Sequence, residues 1–313
     1  MSIHIAGSSA PTSGNIVYPL VTNPSSLGLE RVVVPTALGD VVVYRSPGTA
    51  SEAMVLLHGA AGSWTTWTPM LRAAGRGRLS GLVIPDLPGW GDSLGPESGL
   101  GAVDAESLAA AVVEVVRACG YDSWRVLGHS LGGFVALELA AQRPKETTEV
   151  LLVSPTTLGA RGDRICAVQA WAAYPALFAL LQGMRMLSVL GRAGCAAVRL
   201  LNRVGLLRLL TTPLFAPGRR VDASVVDALA VEVRPAAFAR ALRCARRYDA
   251  VGRWGRIECP VVSVHGDRDV FTGRNDDARL RCVIPRFTVA VLPATGHFGQ
   301  IERPLLVLAE LGL

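Results

Sequence analysis

Eight residues, Val126-Leu127-Gly128-His129-Ser130-Leu131-Gly132-Gly133, constrain this chain more than any other stretch. An apolar run from Trp124 to Leu127 stops at Gly128, and residues with helical composition, Phe134 to Gln142, follow Gly132 and Gly133. The pattern predicts a buried strand that turns tightly into a helix with Ser130 at the apex. Glycines flank such an apex because the turn leaves no room for Cβ atoms and forces unusual dihedrals. The strain lifts the Ser130 hydroxyl clear of the backbone. The following helix aims its free N–H groups and the positive end of its dipole at the same spot. A G-x-S-x-G turn can arise by chance, so its meaning depends on what else the chain carries, and in what order.

The chain around it alternates. Val-rich runs Glu30–Pro35 and Asp40–Arg45 predict an opening hairpin. Ala53–Leu57 is continuously apolar, as a strand buried on both faces should be, and ends in His58-Gly59-Ala60-Ala61-Gly62-Ser63. A helix is expected from about Thr65. A short strand, Leu82–Pro85, then leads into Asp86-Leu87-Pro88-Gly89-Trp90-Gly91-Asp92-Ser93. Ala105–Cys119 reads as a helix with Leu108, Val112, Val115 and Val116 on one face. Further strands are expected at Val150–Val153, Pro260–His265 and Phe287–Leu292, with helices near Asp276–Cys282 and Pro304–Leu311. Strands alternating with helices indicate an α/β fold with a doubly wound, mostly parallel sheet.

Between Ser154-Pro155 and about residue 250 the rhythm breaks. The reading is a core of residues 30–155 and 251–313, a helical lid inserted over 156–250, and a flexible N-terminal arm over 1–29. The arm is rich in Ser, Pro, Thr, Gly and Asn. The first 28 residues hold no Lys or Arg and no apolar signal core, so a secretory signal is not expected. Ile165–Met184 is uncharged and long enough on paper to cross a bilayer. Gln169, Pro175 and Gln182 interrupt it, and a crossing would split one sheet across a membrane, so no transmembrane span is expected.

The net charge of +6 is concentrated in this insertion, where residues 156–250 carry 14 Arg against 5 acidic residues. Arg185, Arg192, Arg199 and Arg203 would fall within about 40° of each other on a helical wheel, although Gly191 and Gly194 speak against one unbroken helix. Three readings stay open: a lid with its arginines in solvent, an Arg-lined entrance for an anionic substrate or acidic carrier, and a helix lying on a membrane surface. Leu177, Phe178, Leu180, Leu187, Leu200 and Leu206 would give such a lid an apolar face. No aromatic–basic interleaving accompanies the charge, so a nucleic-acid partner is not expected. Six cysteines are scattered without a C-x-x-C pair, which argues for reduced thiols in a cytoplasmic setting and against a zinc site.

A serine attacks efficiently only when a base takes its proton, and the base needs a third group to hold its tautomer. Of the five histidines, His4 lies in the arm. His129 should point away from the apex, and His58 and His265 at strand ends suit structural hydrogen bonds. His297, in Gly-His-Phe beyond the last strand, is the candidate base. Asp269, three residues past Gly266, is the candidate acid. Asp267 is its rival, but follows the strand so closely that it more plausibly braces the turn. An oxyanion would need two donors: the N–H of Leu131, and that of Ala60 or alternatively Ala61. Gly59, Ala61, Trp64, His129 and Phe298 are the candidate substrate-lining residues. No motif calls for a metal or an organic cofactor.

His58-Gly59, Asp86–Ser93, Gly128–Gly133, Gly266-x-x-Asp269 and Gly296-His297, in that order, resemble the landmarks of the lid-bearing α/β-hydrolases. The chain order Ser130, Asp269, His297 is theirs too. The chain is especially similar to the esterases, C–C bond hydrolases and cofactor-free haloperoxidases among them. The resemblance runs from residue 30 to the end and implies an eight-stranded sheet, a Ser-His-Asp triad and a hydrophobic small-molecule substrate, anionic or carrier-bound if the basic lid contacts it. Ser rather than Asp at position 130 separates the chain from the haloalkane dehalogenases and epoxide hydrolases of that superfamily. Val270-Phe271-Thr272-Gly273 departs from the proline-containing stretch usual after the acid, and the lid matches no family pattern. The expected activity is cleavage of an ester, thioester or similarly activated carbonyl compound through an acyl-enzyme. The alternatives are C–C cleavage of a vinylogous diketone, acyl transfer or cyclisation from a carrier-bound thioester, and a non-catalytic ligand-binding role. The sequence leaves a homo-oligomer open.

Overall fold

A computed structural model describes residues 16–48, 50–93, 104–157, 175–218, 220–235, 237–238, 248–272 and 276–313. His4, the first part of the uncharged stretch (residues 165–174) and Gly273 lie outside the described residues.

The eight strands are β1 (Glu30–Thr36), β2 (Gly39–Arg45), β3 (Ala53–Leu57), β4 (Leu82–Pro85), β5 (Trp124–His129), β6 (Thr147–Val153), β7 (Val261–Gly266) and β8 (Phe287–Leu292). They form one sheet in the order β1-β2-β4-β3-β5-β6-β7-β8. The β1–β2 and β2–β4 pairs are antiparallel, and every pairing from β4 to β8 is parallel. Helices among the described residues include α1 (Thr68–Ala74), α2 (Ala105–Ala118), α3 (Leu131–Gln142), α4 (Pro175–Val189), α5 (Arg192–Arg203), α6 (Leu206–Thr211), α7 (Ala223–Glu232), α8 (Ala250–Trp254), α9 (Asp276–Val283), α10 (Gly299–Glu302) and α11 (Pro304–Glu310).

Alternation along the strands sorts the core into two layers. Val55, Leu57, Val126 and Leu152 face α2, α3, α8 and α9, with Phe134, Trp254 and Leu280. Met54, Leu56, Leu127 and Val153 face α1 and α11, with Met70, Val307 and Leu308. The sheet is therefore covered on both sides, which is why its central strands read as unbroken apolar runs.

Two departures from the sequence expectations have simple physical causes. Residues 64–67 form a 3₁₀ turn before α1, because Pro69 suits the first turn of a helix and not its interior. The helix after Ser130 begins at Leu131 rather than Phe134, since Gly132 and Gly133 are packed inside its first turn.

Between β6 and β7, ahead of α8, lie α4 to α7. Gly191, at φ 53°, separates α4 from α5, so the arginine stripe is shared between two helices, Arg185 on α4 and the other three on α5. Gly194 plays a different part: a Cβ there would sit 2.3 Å from the Leu187 carbonyl oxygen, so it permits the close approach of α4 and α5. The N-terminal segment lies across this region. Leu20 N–H donates to Ser224 Oγ of α7 at 2.9 Å, and Val21 N–H to Thr68 Oγ1 of α1 at 3.0 Å. Among the described residues no helix is long and apolar enough to cross a membrane.

Candidate active site

The parallel register brings Leu57, Gly128 and Leu152 level, so the loops after β3, β5, β7 and β8 open on one edge of the sheet. The chain steps outward from β3 to β4, then returns to place β5 on the other side of β3. The loops leaving β3 and β5 thus diverge, and open sheets form their ligand crevices at such a reversal.

Ser130 sits at φ 51°, ψ −115°, a conformation that costs a non-glycine residue about 1–3 kcal/mol. Its neighbours explain how the strain is held. A Cβ on Gly128 would lie 2.4 Å from Gly132 O, and one on Gly132 would lie 2.1 Å from Leu57 O. Across the crevice, a Cβ on Gly59 would meet His129 Nδ1 at 2.8 Å and Ser130 Cβ at 3.0 Å. The Ser130 peptide is anchored from β6 by Ser130 N–H to Val153 O at 3.2 Å.

Among the described residues the N–H groups of Leu131 and Ala60 have no hydrogen-bond acceptor. Leu131 is the first residue of α3, so its N–H is one of the helix's orphan donors. His58 fixes the orientation of Ala60. Its Nδ1–H donates to Gly59 O at 2.8 Å, while its Nε2 accepts from Leu87 N–H at 2.9 Å. In a trans peptide the C=O and the next N–H point opposite ways, so holding Gly59 O fixes the direction of the Ala60 N–H. Burial lowers the His58 pKa to about 4, so the ring is neutral at pH 7 and can play both roles. Ala61 follows at φ 58°.

His297 stands in the loop after β8. Its Nδ1 is 3.0 Å and 3.1 Å from the two carboxylate oxygens of Asp269. The Asp269 side chain is fully buried and also accepts from Phe271 N–H at 2.8 Å and Thr272 Oγ1–H at 2.7 Å. Burial alone would raise the Asp269 carboxyl, but His297, Thr272 and the Phe271 N–H together hold it far below the usual range. Phe271 packs edge-on against the His297 ring at 4.9 Å. The Val270–Thr272 stretch, unusual for the resembling family, thus supplies two of the carboxylate's donors. Asp267, the rival acid, accepts from Thr295 N–H at 3.2 Å and so ties the β7 loop to the β8 loop.

Ser130 and His297 are not hydrogen-bonded. The Ser130 hydroxyl is paired with Thr156 Oγ1 at 3.4 Å, a long contact that a side-chain rotation breaks.

The lining candidates fare differently. Gly59 and Ala61 shape the loop after β3. The Trp64 ring stacks on Tyr44 at 4.2 Å within the core, and its backbone N–H donates to Asp86. His129 is buried, with Nε2–H donating to His297 O at 3.1 Å and its ring 4.9 Å from Phe298. Burial and the nearby His297 lower its pKa to about 3, leaving it neutral. Trp64 and His129 therefore brace the backbone around the crevice. Phe298 stacks on Phe215, and α7 lays Val225 and Leu229 over it. The void between α7, Ala61 and Phe298 holds about 10 Å³, room for no more than a water molecule.

Of three buried acids, Glu302 and Glu138 had no signature in the sequence, and Asp86 stood out only as the start of the Asp86–Ser93 segment. Glu302 of α10 accepts from Ala216 N–H at 2.8 Å and from Gly296 N–H at 3.1 Å, beside His297. The His297 N–H itself donates to Leu214 O at 2.8 Å. Glu138 of α3 is clasped by Arg253, Tyr248 and Gln142. Asp86 accepts from Trp64 N–H at 2.7 Å and Asp92 N–H at 2.8 Å, joining the loops after β3 and β4. From the insertion, Arg234 donates to the carbonyls of Gly89 at 3.0 Å and Gly91 at 2.6 Å in that same loop.

Burial pushes the Asp86 carboxyl up to about 7, against the pull of its two N–H donors. In an unfolded chain the group titrates near 4. The folded protein holds the proton more tightly, so the stability from this group is complete below about pH 4 and is lost as pH rises to about 7. Urea unfolding at about pH 5 and pH 8 is the check. The native chain should lose more stability across that interval than Asp86→Asn, which has no proton to release.

The alpha/beta hydrolase family model matches residues 54–311, which include every strand from β4 to β8 and all the residues just described around Ser130. The chain belongs to this family. A 2-hydroxy-6-oxo-6-phenylhexa-2,4-dienoate hydrolase from Burkholderia cepacia is 30% identical over 127 residues, 39% of this chain and 43% of that protein. Lipase 1 of Psychrobacter immobilis is 33% identical over 135 residues, 42% of this chain and 40% of the lipase. The match thus spans less than half the length of these curated relatives. The carboxylesterase CesB of Bacillus subtilis shares the fold, with a TM-score of 0.64 over 91% of each chain at 16% identity.

Proposed function

We propose that this hydrolase cleaves an ester, thioester or related activated carbonyl bond in a hydrophobic small molecule, through an acyl-enzyme on Ser130. The observation that carries the reading is the buried Asp269–His297 pair on the same sheet edge as a serine held at positive φ beside two unpartnered N–H groups.

The Ser130 hydroxyl turns from Thr156 to His297 and gives its proton to Nε2 as Oγ bonds to the substrate carbonyl carbon. The carbonyl oxygen takes the displaced electron pair and is met by the N–H groups of Ala60 and Leu131, where fixed donors act with little reorganisation. Asp269 keeps the proton on Nδ1, which leaves Nε2 free to accept, and steadies the ring once it is charged. The tetrahedral centre collapses, the leaving group departs with the proton from Nε2, and water repeats the sequence on the acyl-enzyme. His58 acts at one remove, by aiming the Ala60 N–H. In this reading residues 156–250 form the lid, and α7 with Val225 and Leu229 closes it over the crevice. Free thiols at Cys119, Cys195, Cys259 and Cys282 suit a reducing compartment such as the cytoplasm.

The Burkholderia relative's name favours a second reading, hydrolysis of a C–C bond in a vinylogous diketone. That chemistry would want a cation beside the substrate carboxylate. Arg185 and Arg192, which could supply that cation from the insertion, are exposed, which supports the ester reading instead.

A fluorophosphonate probe tests the chemistry. It should add one phosphonyl group to the intact protein, found on the peptide bearing Ser130, and p-nitrophenyl esters should show a burst of acyl-enzyme. A protein that stays unlabelled at Ser130 refutes the proposal. Turnover of diketones without ester turnover selects the second reading.

A further inference from the structure

The surface of α4 to α6 is built for contact with a partner, and its composition says which kind. Of the sixteen large hydrophobic residues exposed among the described residues, eight fall between positions 186 and 210. They are Met186, Val189 and Leu190 at the end of α4, Leu200 and Val204 around the end of α5, and Leu206, Leu209 and Leu210 on α6. Val189 is 87% exposed and Leu209 69%. The other eight are scattered in ones and twos from residue 16 to residue 305, as is normal on soluble proteins. A concentration of this kind marks an interaction site.

These side chains join none of the buried clusters formed among the described residues of the insertion. The inward face of α5 is satisfied by Val198, which joins Leu207, Val226 and Ala230 in a buried cluster. Gly194 already lets α5 approach α4 closely. The outward face therefore serves something outside the described fold.

Charge narrows the choice. Arg185, Arg192, Arg199, Arg203 and Arg208 are interleaved with the apolar residues and are exposed, and residues 175–211 hold no Asp or Glu. None of the five makes a salt bridge to a described residue. Arginine stems can lie along an apolar layer while the guanidinium heads reach phosphates above it, so aliphatic residues and arginines occupy one face together. The face holds no aromatic residue, whereas the buried anchors of protein–protein contacts are enriched in Trp and Tyr.

We propose that residues 186–210 form a docking face for an anionic phospholipid surface, on which the apolar residues enter the headgroup boundary and the arginines pair with lipid phosphates. The proposal is independent of the chemistry assigned to Ser130. It places the insertion, and with it the crevice beneath α7, against the lipid.

The test is flotation of the full chain with vesicles of phosphatidylcholine containing about 30% phosphatidylglycerol, against phosphatidylcholine alone. Binding should be about tenfold stronger to the anionic vesicles and should fall as salt rises from about 0.05 to 0.5 M. Arg199→Glu/Arg203→Glu and Leu209→Ser/Leu210→Ser should each weaken it by about tenfold or more. Circular dichroism and the rate of fluorophosphonate labelling in solution check that both double variants remain folded. Ser130→Ala should bind vesicles like the native chain. Equal flotation of native and variant chains overturns the proposal. So does an absence of flotation with either a dimer that Leu209→Ser/Leu210→Ser dissociates, or retention on an acidic protein column alone.

Discussion

Replacing Ser130 by alanine should lower kcat for an activated ester by about 10⁵- to 10⁶-fold and leave KM within a few-fold of the native value. The asymmetry follows from the site. Alanine removes the attacking oxygen but leaves the Ala60 and Leu131 N–H groups and the surrounding apolar walls in place, so binding and some electrostatic assistance survive. Residual hydrolysis of about 10³-fold over water would report those donors by themselves. The strained turn should tolerate the change, since Gly128 and Gly132 permit it and the lost hydroxyl makes only the 3.4 Å contact to Thr156. Steady-state kinetics beside circular dichroism decide the matter. A folded variant within tenfold of native activity would remove Ser130 from the chemistry. Asp269→Asn makes a useful companion, because it keeps the shape but no longer fixes the imidazole tautomer, and about a 10⁴-fold loss is expected.

The largest expected effect on stability lies behind the crevice. Arg253→Met should destabilise the protein by about 3 kcal/mol or more, read from urea unfolding, because it leaves the carboxylate of Glu138 without its cation. The Glu138 side chain is fully buried and that of Arg253 is 29% exposed, so solvent cannot replace the guanidinium. Tyr248 and Gln142 still donate to the carboxylate, but neither carries charge. Removing both partners, as Glu138→Met/Arg253→Met, should recover much of the loss, since paired methionines fill the space without a stranded charge. A double variant no better than Arg253→Met would show that hydrogen bonding to Glu138 matters more than its charge.

Local chemistry made much of this readable in advance. The turn at Ser130 announces itself because only glycine fits at positions 128 and 132, and the strands because burial on both faces demands continuous apolar runs. The positions of Asp269 and His297 were readable because strand ends in a parallel sheet deliver their loops to one edge. The supports were not readable. Glu138 and Glu302 are ordinary acids in the sequence and Asp86 only opens a landmark segment, and their partners lie 115, 86 and 22 residues away. Trp64 and His129 look like lining residues because of where they fall in the chain. Only the tertiary contacts to Tyr44, His297 and Phe298 reveal them as bracing. The breaks within the insertion were half legible: both glycines were visible, but one ends a helix and the other lets two helices touch.

The fastening of Leu214–Ala216 to the His297 loop has a consequence for how the proposed hydrolase would admit a guest. Because Leu214 O holds the His297 N–H, and Glu302 joins Ala216 to Gly296, a hinge that swung about this point would carry the imidazole with it. Entry and proton transfer would then exclude each other. If His297 is the base and the insertion is a lid, a route that leaves the base undisturbed would part the roof elsewhere, at α7 and the segment around Leu20 that crosses it, and would insulate the doorway from the imidazole.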